Sequence, residues 1–467
     1  MPALADWRRD VADIEAIADR TATGMAAAYR SGEAGPVEVV ECLLERIERS
    51  RDDNIFITVM PERARREAEA SERRHRAGRP LSQLDGVPIG WKDLFDVAGA
   101  PTTAGSRVLG EGDIKTRDVG VTANAARIGM VTLGKLNMTE FAYSGLGLNP
   151  HYGTPVNPNS RDVARSPGGS SSGSGASVAA RLLPCAVGSD TGGSVRIPAS
   201  YNGVVGYKTS QGRLDTTGVV PLARSYDTVG PLARSVEDCI LLDRALRGTV
   251  GAELVRADLS GLTLVVPTNH VTVTLQDAVA EAFERSLSAL AAAGVTIRRE
   301  KVDALDQVVD LTARHGTLTA AEAYFEFQAL IDGSRVDEID RRVVRRIMDG
   351  KRMSAHDVIA IQRGRAALMA TLRAQLGGAL LAWPTTPITA PEVAPLEASD
   401  DTFHRVNLLT LRNTMPGNVL DLCCVAMPNG RDAAGMPTSL LVSACHGEDE
   451  RLLGAAIEIE RVIGEAE

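Results

Sequence analysis

PGGSSSGSGASVAARLLPCAVGSDTGGSVRIP, residues 167–198, sets two glycine-serine clusters on either side of a helix-like run and a strand-like run. Glycine carries no Cβ, so clusters of it reach backbone conformations closed to other residues and leave amide N–H groups free to point at a ligand. Serine adds hydroxyls that can serve as nucleophiles. In isolation such composition describes a flexible linker. Here, however, Ala176–Leu183 reads as a buried helix of small residues and Cys185–Gly188 as a strand. Linkers do not alternate with core elements, so the clusters are loops inside a fold.

Outward from this stretch the pattern is that of an α/β sheet. Val87–Trp91 reads as a strand that ends at Lys92, helix Val121–Ile128 leads to strand Met130–Leu133, and strand Val204–Lys208 and helix Ser235–Leu246 follow the serine loop. Residues 8–80 read as helical. Past residue 250, Leu262–Pro267, helix Leu275–Ala293 and strand Val295–Val302 form another α/β layer, followed by long helices over 304–331 and 354–375. Ser354 and Asp357 stand at capping-box spacing at the start of the second. Strands Ala379–Trp383, Cys423–Met427 and Thr438–Ser443 precede a last helix, Asp449–Ile463. No repeat and no long linker divides the chain, so residues 1–467 are expected to form a single domain.

Composition narrows the function. With 24% charged residues and a net charge of −9, the chain offers no basic tract for a polyanion, so direct binding of nucleic acid is not expected. The six cysteines are scattered, apart from Cys423 and Cys424, and read as reduced core residues; the seven histidines lack metal-ligand spacing. A metal-dependent mechanism is not expected. No apolar run reaches membrane-spanning length, and MPALADWRRDVADIEAIADR mixes acids into its hydrophobic positions, unlike a signal or transit peptide. A cytoplasmic location is expected, with no membrane partner.

Three motifs compete for the chemistry. Gly129-x4-Gly134-Lys135 approaches a phosphate-binding loop, but Leu136 occupies the place of the metal-binding hydroxyl and a strand runs through the supposed loop. Gly169-Ser170-Ser171-Ser172-Gly173 fits a nucleophile elbow centred on Ser171, yet the run before it, VNPNSRDVARSP, is polar where the elbow needs an apolar strand. The third is GSDTGGS, 188–194, where consecutive small residues let the amides of Thr191, Gly192, Gly193 and Ser194 converge as an oxyanion hole. A serine there needs a base, and no histidine is nearby in sequence. A lysine serves if burial disfavours its ammonium form. Lys92, at the end of an apolar strand, is the best placed, although a lone strand-end lysine is ordinarily a surface charge.

Together these residues resemble the amidase signature family of serine hydrolases, whose catalytic group is a Ser-cisSer-Lys triad. GVPIGWKDLFDVAG (86–99) is similar to the family's lysine block, GKLNMTEFA (134–142) to its second block, and PGGSSSGSGASVAA (167–180) to its glycine-serine signature. GSDTGGSVRIPAS, GVVGYK and GVVPLARSYDTVGPLARSVED continue the match in order, with a weaker resemblance over NTMPGN, VAMPNG and GMPTSLLVSACHGEDERLLGAA. The separation of Ser170 and Ser194 is the spacing that the family keeps.

The resemblance implies one large mixed β-sheet between helical layers, with the signature core at 86–245 and residues 1–80 packed on it as a helical segment. It implies that Ser194 is the nucleophile, Ser170 the relay serine after a cis peptide bond from Gly169, and Lys92 the ultimate base. The oxyanion donors would be the amides of Thr191, Gly192, Gly193 and Ser194. The implied reaction is hydrolysis of an amide to a carboxylate plus ammonia or an amine, without metal or cofactor. The same triad also serves the amidase subunit of glutamine-dependent aminoacyl-tRNA amidotransferases, which stays open as an alternative. A homodimer is likewise left open. A non-catalytic descendant of the family would be free to lose Lys92, Ser170 and Ser194, and all three are present.

Ser172 and Gly175 replace the signature's usual Gly and Ala, and KTSQGR (208–213) replaces a KPT-type run; these bear on pocket shape more than on chemistry. Tyr143, Asn149, His151 and Tyr152, between family blocks, are candidates for polar substrate contacts, and the helical region 304–375 for the remaining wall. Arg196 is a candidate either for structure or for a substrate anion. A small amide of the biuret or malonamate kind, an aryl amide and a peptide amide all stay open as substrates.

Overall fold

The computed structural model describes residues 11–249 and 254–464. Among the described residues the strands, in chain order, are β1 Phe56–Val59, β2 Pro88–Lys92, β3 Val131–Leu136, β4 Cys185–Asp190, β5 Val205–Lys208, β6 Thr228–Ala233, β7 Thr263–Pro267, β8 Thr296–Glu300, β9 Leu380–Pro384, β10 Cys423–Arg431 and β11 Pro437–Ala444. They make one eleven-stranded sheet in the order β1-β3-β2-β4-β6-β5-β10-β11-β9-β7-β8. β2 runs parallel to β3 and β4, and β7 parallel to β8 and β9; the other neighbours are antiparallel. Every residue of β2, β3, β4 and β6 is buried. Strands covered by helices on both faces read as continuous apolar runs without period-two alternation, as VPIGW and CAVG do. The edge strand β8 instead carries Arg298, Arg299 and Glu300, charges that discourage pairing with another chain.

Several elements depart from the sequence expectation. Residues 8–80 hold the strand β1 as well as helices; residues 8–10 lie outside the described residues. β6 has no counterpart in the sequence expectation, because Pro231 sits in its middle and proline argues against a central strand, yet Pro231 pairs opposite Val187 of β4. The helix expected over 304–331 is two, Asp303–His315 and Leu318–Ile331. Gly316, at φ 79°, ends the first, and the Thr317 hydroxyl starts the second by accepting from the Ala320 amide at 3.1 Å. A further helix, Arg341–Lys351, is masked in the sequence by its arginines; Val343, Ile347 and Gly350 nevertheless fall on one buried face. A Cβ on Gly350 would lie 1.9 Å from the Ala320 carbonyl oxygen, so helices Leu318–Ile331 and Arg341–Lys351 touch backbone to backbone. Helix Ala355–Leu376 begins with the expected Ser354–Asp357 capping box. Among the described residues no helix is long and apolar enough to cross a membrane.

Candidate active site

β2 and β4 lie side by side and parallel, Trp91 opposite Val187, so their C-terminal ends deliver Lys92 and Ser189 to the same edge of the sheet. That edge is where ligands gather in open α/β sheets. The Lys92 side chain is fully buried, and its Nζ donates to Ser170 Oγ at 2.7 Å and to Ser189 Oγ at 2.8 Å. Burial drives the Lys92 ammonium down from an ordinary 10.5 to about 7, against the opposing attraction of the Asp190 and Asp227 carboxylates. A lysine at about 7 is divided between its charged and neutral forms near neutral pH.

Ser170 precedes helix Ser172–Ala179, and the Gly169–Ser170 peptide bond is cis. Its carbonyl accepts from the Thr139 amide at 3.1 Å, tying this segment to the loop after β3. The Ser171 amide in turn donates to the Ser194 carbonyl at 3.2 Å, which binds the two glycine-serine loops to each other.

The second loop, 191–195, is pinned from beneath by Asp190. Its Oδ1 accepts from the Gly193 amide at 2.9 Å, from Arg196 Nη2 at 2.8 Å and from Asn418 Nδ2 at 2.9 Å; its Oδ2 accepts from the Val195 amide at 3.1 Å and from Arg196 Nε at 3.0 Å. Burial opposes ionisation of this carboxyl, but the charge and hydrogen bonds of Arg196 hold it below the usual carboxylate range. From the other side Thr191 Oγ1 donates to Asp227 at 2.6 Å, and Thr414 Oγ1 to the Gly192 carbonyl at 2.7 Å. Gly193 is at φ 136°, and a Cβ there would lie 2.2 Å from Thr414 Oγ1, so only glycine fits.

Of the four amides expected to face an oxyanion, Gly193's is therefore committed to Asp190. Those of Thr191, Gly192 and Ser194 have no protein acceptor among the described residues. They are the amides of this loop left for a ligand.

Thr191, Gly192 and Ser194 line a cavity of about 280 Å³. Tyr143 lines it too, and so do Thr312, Gly316, Thr317, Ala320, Arg346 and Met353 from the helical region 304–375. Four other residues expected at the substrate lie elsewhere. Asn149 spends its side-chain amide on the carbonyls of Gly105, at 2.8 Å, and Met138, at 2.7 Å, bracing its own loop. His151 faces the buried Glu140 carboxylate at 3.0 Å, and Tyr152 turns its hydroxyl to the Ser106 carbonyl. Arg196 is fully buried and divided among Asp190, the Thr414 carbonyl and Asn418, so it takes the structural alternative.

The rival motifs find their places as well. Lys135 is a strand residue buried in an ion pair with Asp93 at 2.5 Å. Ser171 is buried with its hydroxyl on the Ser189 carbonyl at 3.3 Å, and among the described residues no histidine lines the cavity. Sequence reasoning missed Ser189, Asp227 and Arg346. The first two stand inside motif blocks, as the Ser of GSDTGGS and the Asp of RSYDTVG. Arg346, in a stretch of many arginines, had no distinguishing signal.

A family model described as Amidase matches residues 38–453. The chain is 35% identical over 426 residues to a 2-amino-5-chloromuconic acid deaminase of Comamonas testosteroni, covering 88% of this chain and 89% of that one. It is 32% identical over 481 residues to a glutamyl-tRNA(Gln) amidotransferase subunit of Ralstonia nicotianae, covering 92% and 95%. A crystal structure of an amidase superposes with a TM-score of 0.84 at 30% identity, covering 95% of this chain and 99% of the other.

Proposed function

The chain belongs to the amidase signature family and is an amide hydrolase, and from that premise we propose that it cleaves a carboxylic amide through a Ser194 acyl-enzyme, with Ser170 as proton relay and Lys92 as base. The observation that carries this reading is the 2.7 Å contact between Ser170 Oγ and a fully buried Lys92 whose ammonium is lowered to about 7.

Neutral Lys92 takes the Ser170 hydroxyl proton as Ser170 takes that of Ser194. Ser194 Oγ then attacks the amide carbonyl, and the oxyanion is met by the amides of Thr191, Gly192 and Ser194. Each such donor contributes on the order of 10²-fold to 10³-fold in rate. The proton returns through Ser170 to the nitrogen, ammonia or an amine leaves, and water attacks the acyl-enzyme by the same relay to release a carboxylate. The continuity of the eleven-stranded sheet supports treating residues 1–467 as one catalytic unit.

The test is ammonia release from a panel of amides by the purified chain. Ser194→Ala, Ser170→Ala and Lys92→Ala are expected to lose at least about 10²-fold in kcat, and Ser171→Ala to stay within about threefold. Activity kept in Ser194→Ala and lost in Ser171→Ala would refute the assignment. The similarity to an amidotransferase subunit favours a second reading, in which the ammonia is passed on within a complex. Turnover of glutamine alone, and only with partner subunits added, would select it.

A further inference from the structure

Arg346 brings a formal positive charge to the cavity without a counter-charge. Among the described residues no carboxylate lies within ion-pair distance of it. Its Nη1 donates to the Tyr143 carbonyl at 2.8 Å, and its guanidinium carbon lies 4.1 Å from the centre of the Tyr143 ring. A guanidinium has five N–H donors, so most of this one's capacity is unspent. Asp349, on the same helix and also at the cavity, is bonded to Arg352 instead and is exposed to water. Leu222, Met353, Leu411 and Val419 contribute apolar surface to the same cavity. Burial lowers the Arg346 pKa, with only partial compensation from Tyr143 and Asp349. Arginine remains charged under such a shift. A cavity-lining cation with one carbonyl and one ring as its partners is a site prepared for an anion.

We propose that Arg346 recognises a carboxylate on the substrate, and that the amides cleaved at Ser194 are amic acids, the monoamides of dicarboxylic acids. When a primary amide is cut, the nitrogen leaves as ammonia, so only the acyl part is long enough to cross the cavity; the carboxylate therefore sits on that part. The planar guanidinium, stacked on Tyr143, would take the carboxylate side-on through two N–H groups. This assignment rests on the amide hydrolysis proposed above, although the binding it describes does not require turnover.

Two measurements separate the ideas. The first is calorimetric titration of Ser194→Ala protein with the diacids from succinate to adipate and with their half-methyl esters. At least one diacid is expected to bind at least about tenfold tighter than its half-ester, as suits a charge-assisted hydrogen bond. Adding Arg346→Gln is expected to abolish that preference, and Arg346→Lys to retain part of it. The second is kcat/KM of the wild type for each amic acid against the amide of its half-ester. A preference of about tenfold or more is expected, carried mainly in KM, and lost in Arg346→Gln but partly kept in Arg346→Lys. Equal affinity for diacid and half-ester, or a preference that survives Arg346→Gln, overturns the proposal. Arg346-dependent diacid binding with no hydrolysis of any amide overturns the amidase reading and supports the carboxylate site.

Discussion

Replacing Lys92 by methionine is expected to move activity and the pH response of stability in ways that the two hydrogen bonds of Lys92 cannot produce by themselves. The folded protein holds this lysine at about 7, against 10.5 when free. Between those values the unfolded chain binds a proton that the folded chain has shed, so stability rises with pH across that window. At pH 7 the buried amine costs about 4 kcal/mol relative to an unperturbed lysine, and by pH 9 about 2 kcal/mol of that remains. The absolute difference between wild type and Lys92→Met mixes this cost with the lost contacts to Ser170 and Ser189. Its change with pH does not. Urea unfolding at pH 7 and pH 9 is expected to show the wild type gaining about 2 kcal/mol on the variant. In parallel, kcat/KM of the wild type should fall about tenfold per pH unit below 7, while Lys92→Met lies on the order of 10³-fold below the wild type at pH 8 and does not follow that fall at lower pH. Unfolding curves that shift with pH by the same amount in both proteins, or a wild-type rate flat down to pH 5, would refute a lysine base poised by burial.

Asp190→Asn leaves the Arg196 guanidinium buried without its counter-charge, and should cost about 3–5 kcal/mol in urea unfolding together with most of the activity. Thr191→Val removes the hydroxyl that ties loop 191–195 to Asp227; kcat is expected to fall about tenfold with KM little changed, as for a donor displaced from the proposed oxyanion site. Gly350→Ala forces a methyl group against the Ala320 carbonyl, and should lower the unfolding free energy by about 1–3 kcal/mol without altering the slope against urea.

The family was far more legible in the sequence than the pocket. Lys92, Ser170 and Ser194 stand in runs of glycine, serine and short apolar strands, and the family resemblance implied a part for each. Their supports were legible only once neighbours in space were known: Ser189 meets Lys92 because β2 and β4 are adjacent and parallel, an order that local pattern does not encode. The same blindness let Asn149, His151 and Tyr152 pass as substrate contacts, since a loop residue that braces its own backbone has the same composition as one that faces a ligand. Gly193 shows a finer limit. Its small size correctly implied a tight turn, but whether its amide faces outward depends on Asp190 beneath it, a contact three residues away whose geometry only the fold fixes.

The backbone contact at Gly350 also divides the labour of the molecule. Lys92, Ser170 and Ser194 stand on the sheet edge and its loops, whereas Thr317, Ala320 and Arg346 belong to two helices locked against each other through Gly350 and Ala320. The cavity wall and the sheet edge can therefore change independently, and a library confined to Thr317, Ala320 and Met353 would vary the wall while Lys92, Ser170 and Ser194 stay as they are.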